Sequence, residues 1–160
     1  MNRVGNADIR RWRDPGVTNY GMRGSIWVVC PHCRGPASSM EHEAEQRFRL
    51  VCRHCAHTAE LPIFGTVESM GDSTDGRFGL PLYLTASVRG HQLWVYNLKH
   101  IDALAVWLGA ALRERPSNCF HRNRTMMSRL PRWMSSASSR PHMMKALAKL
   151  RDRAVKEGLC

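Results

Sequence analysis

With 160 residues, 43% of them apolar, the chain has enough material for one modest core and too much to be disordered throughout. Its formal net charge of +11 implies attraction to something anionic: nucleic acid, an acidic protein or a membrane surface. No run approaches the roughly 18 apolar residues of a membrane span, and Met1 to Tyr20 holds arginines but no signal-peptide run, so a cytoplasmic protein with reduced thiols is expected.

Residues 1–24 are polar, contain Pro15 and several glycines, follow neither the helical nor the strand period, and read as a mobile arm. Ile26-Trp27-Val28-Val29 is a β-branched and aromatic run that ends at Cys30. Phe48 and Leu50 alternate with Arg47 and Arg49 ahead of Cys52, and a third strand, about Thr58 to Ile63, follows the second cysteine pair. The acidic stretch Glu41 to Glu45 falls at the tip of the long loop between the first two strands. Residues 25–64 are thus expected to form a zinc ribbon of three short strands.

Cys30-Pro31-His32-Cys33 and Cys52-Arg53-His54-Cys55 are two C-x2-C pairs with 18 residues between them. A two-residue gap lets one turn present two sulfurs to one ion, and this spacing falls within the pattern of four-cysteine zinc sites. The expected cofactor is one structural Zn2+ held by Cys30, Cys33, Cys52 and Cys55. The rival reading is thiol-disulfide exchange, because Cys-Pro-His-Cys is also an active-site sequence of oxidising thioredoxin-fold enzymes. Those enzymes place the motif at a helix start and need no second pair. His32, His54 and His57 crowd the same turns, but four thiolates already close a structural site. Cys119 and Cys160 have no partner at useful spacing, and Cys119 near His121 lacks the oriented third group that a nucleophile needs.

Gly- and Asp-rich residues 65–79 read as a linker. Leu80 to Val88 and Gln92 to Tyr96 are β-prone runs separated by Arg89-Gly90-His91, which reads as a hairpin turn. Asn97 then serves as helix N-cap, and Leu98, Ile101, Leu104, Ala105, Leu108, Ala111 and Leu112 recur at helical spacing as far as Arg115, before Pro116. Residues 80–116 are therefore expected to be a hairpin-helix unit. Tyr83, Trp94, Tyr96 and Trp107 in this unit are read as a packed sheet-helix core, with a ligand pocket as the competing role. Residues 117–160 form a basic tail with one helix over about 141–157, in which Met143, Leu147, Leu150 and Ala154 share a stripe. The fold class is α+β: an amino-terminal four-cysteine zinc ribbon, a β-hairpin plus helix, and a basic, partly helical carboxyl-terminal tail.

The stretches Cys30 to Cys33, Cys52 to Cys55, Gly79 to Leu84, Gly90 to Asn97 and Ser128 to Met134 together resemble the transcription factor IIB type of zinc ribbon. The likeness is to a bacterial family of small proteins that carry such a ribbon at the amino end, a family named for the ribbon and not for an activity. Such ribbons usually follow a knuckle, the tight turn bearing each cysteine pair, with glycine. Here Ala56 follows Cys55 and Arg34 precedes Gly35, and a side chain in the left-handed turn conformation is costly.

A closed four-thiolate site performs no chemistry, so a non-enzymatic role carried by surfaces is expected. The charge is uneven: from Leu112 onward 12 Lys and Arg face 3 Asp and Glu, whereas Ile26 to Leu112 carries 7 against 8. Arg122, Arg124, Arg129, Arg132, Arg140, Lys145, Lys149, Arg151 and Arg153 are the candidate nucleic-acid contacts, arginine's planar fork being suited to phosphate oxygens. Trp133 could stack on a base or anchor the tail to the core. The alternative partner is a larger protein assembly, such as RNA polymerase or ribosome, on which the chain docks as an adaptor. No small-molecule substrate and no membrane partner is evident.

Overall fold

The computed structural model describes residues 11–64, 73–114 and 125–159, and they form a mixed α+β body. A short strand, β1 (Arg11–Arg13), comes first; β2 (Ser25–Val29), β3 (Pro36–His42), β4 (Arg47–Cys52) and β5 (Thr58–Pro62) then form an antiparallel sheet in sequence order. In β4 the alternation buries Phe48, Leu50 and Cys52 and turns Arg47 to solvent, as period two requires.

The sheet has one strand more than the sequence suggests. Pro36-Ala37-Ser38-Ser39-Met40-Glu41-His42 holds little β-branched or aromatic content, so nothing local marks it as a strand. It forms because it lies between β2 and β4 and satisfies both ladders, with Ser39 fully buried. Only Glu43–Glu45 remains at the tip, a short 3-10 turn closed by Gln46 in the left-handed region at φ 51°.

Next come β6 (Leu84–Val88) and β7 (His91–Val95), paired antiparallel across Arg89 and Gly90, both at positive φ as a tight hairpin turn demands. Helix α1 (Leu98–Gly109) starts where the Asn97 side chain accepts the His100 N–H at 2.9 Å. The helix does not reach Arg115. Ala110 is already extended, because Leu112–Glu114 form β8, which runs parallel to β1. From Arg11 onward, therefore, the stretch read as a mobile arm is paired and packed: Trp12 and Val17 lie against the core and Met22 is buried.

Part of the stretch read as a linker is also structural. Asp75 is buried and accepts the N–H groups of Phe78 and Leu80, while the buried Arg77 donates to the carbonyls of Ser39 and Arg23. The rest of that stretch lies outside the described residues. After the four-residue α2 (Arg132–Ser135), α3 (Arg140–Lys156) buries Met143, Ala146, Leu147, Leu150 and Ala154. Its end is a Schellman motif: Gly158 at φ 67°, Leu159 N–H bonded to Ala154 O at 2.8 Å, and Leu159 itself buried. The basic segment is thus bonded into the core through one face.

Strand β2 joins the halves. Trp27 N–H donates to Tyr96 O, Tyr83 N–H to Trp27 O and Val29 N–H to Pro81 O, so β2 continues from the four-stranded sheet into the hairpin region. A single apolar cluster runs across this junction, from Ile26 and Leu50 to Leu93, Leu108 and Leu147. Among the described residues no helix is long and apolar enough to cross a membrane.

Candidate metal centre

The register brings the two cysteine pairs to the same end of the sheet: Ala37 opposes Cys52, and the β2–β3 and β4–β5 turns lie side by side. Cys30 and Cys52 close their strands and are buried, whereas Cys33 and Cys55 sit in the turns and are exposed. In the first turn Cys30 N–H donates to Gly35 O and Arg34 N–H to Cys30 O; in the second Cys52 N–H donates to His57 O. Arg34 (φ 61°) and Ala56 (φ 58°) both occupy the left-handed region. Both turns therefore adopt the conformation for which glycine is best suited, with side chains in place that oppose it. Gly35 is more tightly placed, since a Cβ there would come within 3.1 Å of His54 Nδ1 and 3.4 Å of Cys33 Sγ and would require those side chains to give way.

The four Sγ atoms lie within 4.8 Å of one another. The contacts that close the set run between turns, Cys30 to Cys55 at 3.7 Å and Cys33 to Cys52 at 3.6 Å. A disulfide needs about 2.05 Å. A tetrahedral ion with metal–sulfur bonds of about 2.3 Å needs sulfur–sulfur edges of about 3.8 Å. The cluster fits one metal ion.

Electrostatics point the same way. At Cys30 burial raises the pKa, but the Cys33 and His32 N–H groups, joined by the Cys52 and Cys55 sulfurs, bring it down to about 7. At Cys33 the Gly35 N–H lowers the pKa, and burial together with the Cys52 sulfur outweighs it and raises the value. At Cys55 the His57 N–H lowers the pKa, yet burial and the other three sulfurs push it up to about 12. Thiolates this close cannot all ionise unless a cation stands among them.

The nearby histidines are not in the sulfur cluster. His32 and His57 stack on each other with centroids 4.1 Å apart, and His54 covers Gly35. The Cys30–Cys33 pair lies between antiparallel strands and not at a helix start. Cys119 and His121 lie outside the described residues.

Of the candidate phosphate contacts, Arg122 and Arg124 also lie outside the described residues. Arg129, Arg132, Lys145 and Lys149 are exposed. Arg140 is half-buried at the start of α3, and its charge adds to burial in lowering the pKa of Arg113. Arg151 is paired with Asp102. Arg153 lies 4.1 Å over the Tyr83 ring and bonds Tyr83 O and Glu157. Arg153 is thereby tied to the fold, while Arg151 remains exposed in a surface pair, which spacing alone could not reveal. Lys156, two further turns along the Lys145–Lys149 face, is exposed, as are Arg34 and Arg53 on the cysteine turns. Compared with family models, curated proteins and solved structures, the chain matches none.

Proposed function

We propose that this chain is a zinc-binding, non-enzymatic protein of the zinc-ribbon type, which associates with nucleic acid through its basic carboxyl-terminal surface. The observation that carries the reading is the convergence of four sulfurs from two turns at tetrahedral spacing. Zinc suits four thiolates, and a closed site of this kind contributes folding energy, about 10 to 16 kcal/mol in comparable small sites, without catalysing anything. Cys30, the thiol with the lowered pKa, is buried, whereas the exposed Cys33 has a raised one. That is the reverse of what a disulfide-exchange nucleophile requires.

For the nucleic-acid role the support is the exposed cationic set of Arg129, Arg132, Lys145, Lys149 and Lys156 in a chain of net charge +11. A second reading, docking on a protein assembly, draws on Met144 and Val155, which stand exposed on α3 beside those lysines.

Metal analysis of purified chain should find one zinc per chain, and Cys52→Ser should remove it. Oligonucleotide affinity should fall steeply between about 50 and 200 mM salt and drop further in Lys145→Glu/Lys149→Glu. A metal-free chain that keeps its fold in strong chelator sinks the first half of the proposal. Salt-insensitive or absent binding, with a stable protein partner instead, moves the second half to the adaptor reading.

A further inference from the structure

A cleft of about 250 Å³ opens between β7, the start of α1 and the segment 126–134. Its size is just below the roughly 300–1,000 Å³ of sites for drug-sized molecules, so it suits a single ring system. Two indoles line it, Trp94 and Trp133, each half-buried. Trp133 is held flat by His91, whose ring stacks on it with centroids 4.6 Å apart and planes 7° from parallel. A ring fixed in this way presents a preorganised stacking surface at little entropic cost.

The polar content of the cleft is specific. His100 lines it and is 3% exposed. Its Nδ1 accepts the Tyr96 N–H at 3.2 Å, which places the ring proton on Nε2. Among the described residues the His100 side chain makes that one hydrogen bond, and Nε2–H is the polar group it can offer to the cleft. Burial holds the ring neutral by lowering its pKa to about 4. Gln92 adds an exposed amide to the lining, Arg129 adds a guanidinium, and Arg132 stands exposed next to Trp133.

A purely apolar occupant would leave the His100 donor unanswered, which is costly in a dry site. An aromatic ring that carries acceptor atoms on its edge and a phosphate on its tether meets each of these features. We infer that this cleft binds an unpaired nucleobase, stacked against Trp133, accepting from His100 Nε2–H, with its phosphate toward Arg129 and Arg132. The base can come from a single strand or from a free nucleotide. The inference deepens the nucleic-acid reading above and rests on it.

The test is fluorescence anisotropy with a labelled 12-nucleotide single strand of mixed sequence and with its duplex, using adenosine and uridine monophosphates as competitors. The wild-type chain should prefer the single strand. Trp133→Leu should weaken single-strand binding about tenfold and leave duplex binding unchanged. Displacement by a monophosphate identifies free nucleotide as a source; no displacement, with the Trp133 dependence intact, identifies the strand. If Trp133→Leu is unfolded by circular dichroism, the exposed Gln92→Ala replaces it, with a selective loss of about threefold expected. Equal single-strand and duplex affinity, or a single-strand affinity untouched by the folded variant, overturns the inference. If Lys145→Glu/Lys149→Glu still weakens both ligands in that case, the nucleic-acid reading survives alone. If the wild-type chain binds neither ligand, both fall.

Discussion

Acidification should remove stability through His100 as pH falls from about 6.5 towards 4. The ring is buried, its Nδ1 is occupied by the Tyr96 N–H, and burial lowers its pKa from 6.5 to about 4. The unfolded chain takes up a proton on this residue near pH 6.5 while the folded chain refuses it until about pH 4. Unfolding therefore binds a proton throughout that window, and stability must fall as pH falls, at up to about 1.4 kcal/mol per unit. Above pH 6.5 the contribution is fully present, at pH 5 about 2 kcal/mol has gone, and near pH 4 about 3 kcal/mol. Acid also displaces metal from thiolates, so the wild-type curve alone is ambiguous. The comparison with His100→Asn, whose amide oxygen can accept the same Tyr96 N–H, cancels that effect. Urea unfolding at pH 7.5, 6.5, 5.5 and 4.5 should show the wild-type advantage shrinking by about 2.5 kcal/mol from the first to the last. Parallel curves would refute the reasoning and show that the ring accepts a proton where it stands.

Two further outcomes follow from backbone geometry. Ala56→Gly should raise stability by about 0.5 to 1 kcal/mol, since glycine occupies the left-handed region at φ 58° without the Cβ clash; thermal melts of the metal-loaded chain check it, and a lower midpoint contradicts it. Asn97→Ala should cost about 2 to 4 kcal/mol, because its oxygen caps α1 at His100 N–H while its amide donates to both Met22 O and Ser25 O. A loss below about 1 kcal/mol in urea would mean that water replaces those bonds.

The cysteine turns were legible because metal-ligand spacing is local: two residues inside each pair and a strand leading into each are visible without a fold. The stripe of α3 was legible for the same reason, since Met143, Leu147, Leu150 and Ala154 repeat at helical spacing and all are buried. Strand β3 was not, because Ser38, Ser39 and Glu41 carry no strand signal and are recruited by neighbours on both sides. The β1–β8 pair was not, because it joins two three-residue segments a hundred positions apart, too short for either to show a period. Among the charges, Arg151 and Lys149 look alike in sequence, and only the fold reveals that Asp102 pairs with one of them. His100 could have been suspected from one feature, its position three residues after an Asn cap, but nothing in that spacing shows that the ring is buried.

One strand gives the sulfur cluster a reach beyond its own turns. Because β2 leads directly into Cys30 and exchanges main-chain bonds with Tyr96, Tyr83 and Pro81 along the way, it works as a shared beam with the sulfur cluster at its tip and the hairpin resting on its side. Tyr96 in turn holds the ring of His100. Main-chain bonds therefore run without a break from the cysteine turns to the residues beside the aromatic cleft, and a metal bound among the proposed ligands would brace that cleft from a distance.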